Sequence, residues 1–234
     1  MALLKTGYIS HIEELRGKIV SIIISVVVLT IICFVFITPI INFLKFPLNG
    51  VKVQLNYFTP YEKFVTYMKI AFFAALFITV PFALFQLGRF VYPALKKNEK
   101  KYFFLFIFLI PLMFAVGVIF AYFALIPAAF RFFINFAAGD NVRPMWGIGE
   151  YFNLILSMFF ISGAIFQVPL FLLFLIKIGV VKIETLVKLR KYVIVLIAIL
   201  AGIFTPPDMV SMILMSVSLY LLFELSIIIG RIIK

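Results

Sequence analysis

The stretch IVSIIISVVVLTIICFVFITPII, residues 19–41, decides the class of fold. A helix needs roughly 20 consecutive apolar residues to cross a bilayer core of about 30 Å, and residues 19–41 contain no charged side chain. The stretch is too long for the apolar region of a cleaved signal peptide, and no small-residue cleavage site follows it. We therefore expect it to remain in the mature protein as a membrane-spanning helix.

The composition of the whole chain extends this conclusion to the other apolar stretches. Hydrophobic residues make up 65% of the 234 residues, and the mean hydropathy is +1.23, which is more than one soluble core of this size can hide. We predict a single integral membrane domain over residues 1–234, because only short charged or Pro- and Gly-containing stretches separate the apolar runs. The predicted fold class is an all-α polytopic membrane protein with six transmembrane helices, at about 19–41, 64–91, 103–127, 151–176, 192–206 and 210–230.

The basic residues indicate how the predicted helices are oriented. Six spans place both termini on one side of the lipid bilayer, and that side carries 15 of the 21 Lys and Arg residues, against 6 on the other side. Since positive residues accumulate in cytoplasmic loops, we predict cytoplasmic termini. The same distribution explains the net charge of +12 without any contact to nucleic acid.

Prolines interrupt three of the predicted helices. Pro81, Pro111 and Pro169 each remove a backbone hydrogen bond and clash with the preceding turn. They predict kinked helices and a curved, concave bundle. The alternative is that prolines are simply more frequent in membrane helices than in soluble ones.

The last two predicted spans form a short hairpin. A helix over residues 192–206 covers only about 22 Å at 1.5 Å per residue, less than the bilayer core of about 30 Å. The turn is TPPD, residues 205–208, in which two prolines end one helix and Asp208 caps the next. We expect this hairpin to thin the bilayer locally or to lie behind other helices.

Two loops on the predicted outer side are long enough to have structure of their own. Residues 128–138, AAFRFFINFAA, are typical of an amphipathic or interfacial helix rather than a seventh span. In the loop 42–63, the alternating stretch VKVQLNY at 51–57 indicates either a short strand or an extended segment lying on the membrane.

Residue types that carry catalysis or bind metals are scarce. His11 is the single histidine and Cys33 the single cysteine, so neither a histidine cluster nor a disulfide can form within one chain, and we predict no metal and no cofactor. G-x-S-x-G, P-loop and dinucleotide-binding patterns do not occur, so we predict no enzyme. For Cys33 we expect a small buried or lipid-facing side chain. For His11 we favour a helix-start or headgroup position over a proton switch.

Acidic residues on the predicted cytoplasmic side are the most informative polar feature. Glu14 lies four residues before Lys18, and the two can form an ion pair on the helix surface worth roughly 0.3 to 0.5 kcal/mol. Glu99 lies among four lysines in KKNEKK, residues 96–101, where it can merely relieve like-charge repulsion. Both carboxylates also lie at the ends of different predicted spans on one surface, which a peptide can approach.

Several motifs resemble those of one known family, in the same order along the chain. They are HIEELRGKI at 11–19, FPL at 46–48, PYEKFVTYMKI at 60–70, FVYPALKKNEKK at 90–101, AYF at 121–123, TPPD at 205–208 and LLFE at 221–224. Over almost its whole length the chain is similar to the TatC family, the signal-peptide receptor of the twin-arginine translocase.

The resemblance implies a six-helix protein of the bacterial or archaeal cytoplasmic membrane, without enzymatic activity, that recognises paired arginines in the signal peptides of folded export substrates. It implies TatA- and TatB-type single-span membrane proteins and other copies of the chain as partners. The two glutamates that bind the paired arginines in the family match Glu14 and Glu99, and a carboxylate can hold a planar guanidinium through two hydrogen bonds. The same signal-peptide site is expected to include His11, Leu15, Arg16, Phe90 and Pro93.

Four further residues are expected in structural or partner contacts, namely Pro47, Gln167, Asp208 and Glu224. Gln167, in FQVPL, replaces a glutamate that the family usually carries inside the membrane, which puts in doubt any role that needs ionisation there. It lies about ten residues from the cytoplasmic end of the fourth span, roughly 15 Å deep, where a polar side chain usually faces protein or water. For Glu224, near the end of the last span, a binding role and a structural role are equally open.

Two other classes of function are alternatives to a signal-peptide receptor. A small ion- or proton-coupled transporter would also have kinked helices and a polar residue near the midplane, but the predicted spans carry only Gln167 and Glu224 at depth, and no inverted repeat is evident. A purely structural membrane scaffold explains the fold but gives Glu14 and Glu99 no function.

Overall fold

The structure, a computed structural model of the chain, describes residues 2–48, 54–92, 97–136, 145–177 and 179–233, and for residues 2–12, 48, 91, 97–104 and 233 it describes only the backbone. Most of these residues are helical. The elements are α1 (Ala2–Val35), α2 (Ile37–Lys45), a 3-10 turn (Phe46–Leu48), β1 (Leu55–Asn56), α3 (Glu62–Val91), α4 (Lys97–Phe120), a π-helical segment (Ala121–Leu125), α5 (Ile126–Phe136), β2 (Trp146–Gly147), α6 (Ile148–Ile165), α7 (Val168–Lys177), α8 (Ile183–Lys188), α9 (Arg190–Phe204) and α10 (Met209–Ile233).

The chain divides into two compact units. The first consists of Met1–Phe43 and Thr59–Pro111, and the second of Leu44–Phe58 and Leu112–Lys234. One boundary falls inside α4 at Pro111, which is one of the three prolines predicted to interrupt a helix.

In the first unit α1 packs against α3. The buried side chains where they meet are Cys33, Ala71 and Ala75, and Leu29 and Phe34 pack around them. Alanines at such a contact let two helix backbones approach closely, which favours association inside a bilayer. Of the two positions expected for Cys33, the structure therefore has the buried one.

The first span ends earlier than predicted. The sequence interpretation extended it to residue 41, but α1 ends at Val35 and α2 begins at Ile37. Pro39 gives the reason, since a proline ring clashes with the carbonyl four residues earlier, here that of Val35. The second predicted span, 64–91, matches α3, which contains Pro81 in its interior.

The third span continues farther than predicted. We expected it to end at 127 with a separate interfacial helix from 128, but Leu105–Phe136 is one apolar helical stretch. Pro127 does not end the helix, because the preceding Ala121–Leu125 turn is π-helical, with the Ile126 N–H bonded to the Ala121 carbonyl. That wider turn leaves room for the proline ring. Helix is present as expected from 128 to Phe136, and residues 137–138 lie outside the described part.

In the second unit two short strands hold the segment before α3 beside the segment before α6. Leu55 pairs with Trp146 and Asn56 with Gly147 in a parallel arrangement. The strand interpretation of 51–57 is thereby confirmed at Leu55 and Asn56, whereas 54 and 57 are not strand and 51–53 lie outside the described ranges. The Tyr151 hydroxyl also donates to the Leu44 carbonyl at 2.9 Å, which fixes the end of α2 against α6.

The fourth span is two helices rather than one. α6 ends at Ile165, Phe166 and Gln167 form a turn, and α7 begins at Val168. Pro169 is the second residue of α7 and cannot donate to the Ile165 carbonyl, so the break lies where this proline predicted a distortion.

Five stretches among the described residues are long and apolar enough to cross a membrane, namely Glu13–Val35, Glu62–Phe90, Leu105–Phe136, Ile148–Lys177 and Met209–Ile232. The fifth predicted span, 192–206, is not among these five stretches and corresponds to α9, which has 15 residues and a length of about 22 Å. It is a helix of the expected short length, below what a full crossing requires. α9 packs on α10, whose buried stripe is Met215, Leu219, Phe223 and Ile227.

Candidate functional site

The Glu14 carboxylate lies on α1, one turn before Lys18. The Lys18 Nζ is 2.7 Å from Glu14 Oε1, and the glutamate side chain remains 48% exposed while the lysine side chain is only 15% exposed. The i, i+4 ion pair expected from the sequence is therefore present. It positions the carboxylate without covering it.

Lys18 also connects the α1 motif to the end of α3. Its Nζ lies 5.6 Å from the centre of the Phe90 ring, a distance at which a cation is attracted to an aromatic face. Glu14, Lys18 and Phe90 are thus brought together inside the first unit. The sequence predicted Glu14 and Phe90 for one site, and the link through Lys18 was not predicted.

The other residues predicted for this site are only partly described. Arg16 is exposed and Leu15 half-buried on α1. The backbone of His11 is in α1 and that of Glu99 in α4, but their side chains, and all of Pro93, lie outside the described residues. The proximity of Glu99 to Glu14 stays a prediction.

Gln167 occupies the turn between α6 and α7, in the second unit. It is half-buried, and its Nε2 donates to the Gly163 carbonyl at 3.3 Å, a long hydrogen bond. Lys177, the last of the ten residues of α7, lies about 15 Å from it along the helix. The predicted depth is consistent with this geometry, although a turn replaces the continuous helix that we expected.

Asp208 caps α10 as expected. The Ser211 N–H donates to Asp208 Oδ1 at 2.6 Å, and the Met212 N–H donates to the Asp208 carbonyl at 3.2 Å. The aspartate is buried, so its carboxylate fixes the start of α10 at the hairpin turn.

Glu224 binds two residues that the sequence analysis did not single out. Arg190 Nη2 lies 2.7 Å from Glu224 Oε2, and the Tyr220 hydroxyl donates to Glu224 Oε1 at 3.0 Å. Both carboxylate oxygens are engaged, and the pair joins the beginning of α9 to α10, which is the geometry of a structural contact. The i, i+4 spacing signalled Tyr220, whereas nothing local could signal Arg190, 34 residues away in sequence.

Pro47 lies in the 3-10 turn that follows α2 and is half-buried. Its neighbour Phe46 stacks on Tyr122 with ring centres 6.1 Å apart. This turn is thereby held against the π-helical segment, while the contact expected for Pro47 itself stays a prediction. Among the described residues no group of three or more His, Cys, Asp or Glu side chains could hold a metal ion.

Comparison with known proteins gives a consistent family match. The sequence model of the family described as Sec-independent protein translocase protein (TatC) matches residues 10–217. The TatC protein of Carboxydothermus hydrogenoformans is 35% identical over 225 residues, covering 96% of this chain and 92% of the relative. The TatCy protein of Bacillus subtilis is 33% identical over 223 residues, covering 95% and 88%.

Solved structures agree with the sequence relatives. A crystal structure described as the twin arginine translocase receptor TatC in DDM is 32% identical, with a TM-score of 0.77, and the match covers 94% of this chain and 99% of that one. A second crystal structure of that receptor is 31% identical with a TM-score of 0.75, covering 95% and 98%. The helical fold of the two units is therefore similar to that of known translocase components.

Proposed function

The chain belongs to the TatC family of Sec-independent protein translocase proteins, and we propose that within the translocase it binds twin-arginine signal peptides of folded proteins. Family membership makes it an integral membrane protein and a translocase component rather than an enzyme. The observation that carries the peptide-binding proposal is the Glu14 carboxylate, half-exposed on α1 and held by Lys18.

The chemistry of Glu14 suits an arginine ligand. A guanidinium presents two parallel N–H donors that match the two oxygens of a carboxylate, whereas an ammonium offers a single point charge. The competing contact to Lys18 is an i, i+4 pair within one helix whose carboxylate remains half-exposed, and such helix pairs contribute only roughly 0.3 to 0.5 kcal/mol. An arginine that forms charge-assisted hydrogen bonds of about 1.5 to 3 kcal/mol displaces it.

Lys18 has a second effect on the site. Because it rests over the Phe90 ring, displacement from Glu14 leaves the ammonium a favourable position. Arg16 is an exposed cation on the same motif, so the surroundings of Glu14 are positively charged. A ligand that binds Glu14 through two hydrogen bonds, as a guanidinium does, is favoured over these neighbouring cations.

Glu99, His11, Leu15 and Pro93 enter the proposal through the family resemblance. Glu99 supplies the carboxylate for the second arginine, and His11, Leu15 and Pro93 contact the peptide. TatA- and TatB-type single-span proteins and other copies of the chain are the proposed partners. The site faces the cytoplasm, as the charge distribution predicts, with both termini on that side of the cytoplasmic membrane.

Peptide binding to purified protein in detergent tests the proposal. Glu14→Gln removes the charge, keeps the size, and should weaken binding of a twin-arginine peptide by roughly tenfold to a hundredfold. Glu13→Gln is the matched control, because Glu13 is the adjacent exposed carboxylate on the same helix, and should change affinity by less than about twofold. Equal affinities of the two variants would reject the assignment of Glu14.

A further inference from the structure

A cavity of about 700 Å³ opens in the second unit beside the beginning of α6. Its walls come from α6, from α5, and from the turn between α9 and α10. The volume is within the range of roughly 300 to 1,000 Å³ that holds a small-molecule ligand. The contacts assigned to the signal peptide are in the first unit, so the receptor function does not account for this cavity.

One face of α6 grades from charged to apolar along the cavity. Glu150 lies in the first turn, Asn153 and Ser157 follow one and two turns later, and Ile161 lies at the far end. These residues all line the cavity and span about 16 Å along the helix axis. An occupant that fits this face has a cationic end, a polar middle and an apolar end.

The cavity lies at the depth where lipid headgroups meet the hydrocarbon core. The stretch Ile148–Lys177, which is α6, the turn and α7, has 30 residues and covers at most about 45 Å, whereas the bilayer measures about 40 to 45 Å including both headgroup layers. Glu150, two residues from the start, is therefore in a headgroup layer. Trp146 and Phe58 at the cavity wall are of the aromatic type found at that level.

The order of the wall residues favours a lipid over a helix of a partner protein. A lipid headgroup, its glycerol esters and the first part of an acyl chain follow one another as Glu150, Asn153, Ser157 and Ile161 do along the wall.

We propose that this cavity binds one phospholipid whose headgroup ends in a primary ammonium, as in phosphatidylethanolamine. The ammonium lies on the Glu150 carboxylate beside the Trp146 and Phe58 rings, where charge attraction and cation–π attraction act together. The ester groups lie at the level of Asn153 and Ser157, and the acyl chain runs along Ile161. A phosphatidylglycerol headgroup lacks the cation and carries a net negative charge, so Glu150 repels it.

Native mass spectrometry of the purified protein tests this site, with phosphatidylethanolamine and phosphatidylglycerol of identical acyl chains added separately. The wild type should retain phosphatidylethanolamine preferentially, and Glu150→Gln should lower its affinity by roughly tenfold or more. Glu184→Gln is the matched control, since Glu184 is also an exposed carboxylate in the first turn of a helix but does not line the cavity, and should leave retention unchanged.

Two results would overturn the proposal. One is equal retention of both lipids by the wild type, and the other is unchanged retention of phosphatidylethanolamine by Glu150→Gln. A third arm adds a synthetic Leu-Ala helix with terminal lysines, which should not compete. If the synthetic helix displaces phosphatidylethanolamine one for one from the wild type, and Glu150→Gln no longer binds that helix, the cavity is a site for a protein helix and the lipid proposal is rejected. Because Glu150 is exposed at the start of α6, its replacement by Gln should leave the melting temperature unchanged, which a thermal scan verifies.

Discussion

Gly117→Ala should destabilise the second unit although alanine is the better helix former. A Cβ at Gly117 would lie 2.6 Å from the Ser162 carbonyl oxygen and 2.8 Å from the Gly163 Cα, both backbone atoms of α6. Backbone atoms cannot rotate away as a side chain can, so the two helices would have to separate by close to 1 Å to restore ordinary contact, which begins at 3.4 Å.

The expected magnitude follows from two opposing effects. Overpacking a close contact costs about 1 to 3 kcal/mol, and in a bilayer the loss of helix packing is not offset by a hydrophobic gain. Replacing Gly by Ala inside a helix contributes about 1 kcal/mol in the other direction. The net effect is a loss of up to roughly 2 kcal/mol, or up to about 8 °C in melting temperature for a chain of this size.

Gly202→Ala is the matched control. Its Cβ would meet only the Met212 Sδ, at 3.6 Å, which is ordinary contact. The gain in helix propensity should then appear alone, as an unchanged or raised melting temperature. Fluorescence of Trp146, the single tryptophan, reports unfolding of both variants in detergent. A Gly117→Ala protein as stable as Gly202→Ala would refute the reasoning.

Three further changes have defined outcomes. Glu224→Gln should lower the free energy of unfolding by about 1 to 2 kcal/mol, between the values for exposed and buried ion pairs. A double-mutant cycle with Arg190→Gln in thermal unfolding should show positive coupling, and purely additive effects would mean that the contact contributes nothing. Asp208→Ala should cost about 1 kcal/mol through loss of the α10 cap and Asp208→Asn much less, so equal melting temperatures for the two variants would contradict the capping role. Gln167→Glu should leave signal-peptide affinity nearly unchanged, because the residue lies about 15 Å along α7 from Lys177, and a large change in a peptide titration would place it in the recognition site.

Local patterns predicted much of the fold, and the errors have physical causes. The i, i+4 spacing predicted the Glu14 contact to Lys18, and TPPD predicted the cap at Asp208, because both interactions lie within one or two turns. The end of α1 at Val35 was missed although Pro39 marks it. The third span continues past its predicted end at residue 127, because a π-helical turn that no residue pattern predicts accommodates Pro127.

Contacts between distant segments could not be predicted from the sequence. Lys18 over Phe90 depends on how α1 packs against α3, and Arg190 reaches Glu224 only because the final hairpin brings α9 beside α10. No motif or spacing in the sequence indicated a ligand for Glu150. Its proposed role follows from its position in the cavity formed by α5, α6 and the hairpin turn. Glu14 stays a prediction: a carboxylate among basic residues at the start of a span drew attention to it, and its role comes from the family resemblance.

The most direct test of the receptor assignment is a double-mutant cycle between the protein and its peptide. Twin-arginine and twin-lysine peptides are titrated against wild type, Glu14→Gln and Glu99→Gln, with Glu13→Gln as the control. If Glu14 and Glu99 each bind a guanidinium, the preference of the wild type for the arginine peptide over the lysine peptide should shrink in Glu14→Gln and in Glu99→Gln and persist in Glu13→Gln. The coupling energy between each Glu→Gln change and the Arg→Lys change in the peptide should be roughly 1 to 2 kcal/mol. An arginine preference of equal size in all four proteins would contradict the assignment of both glutamates.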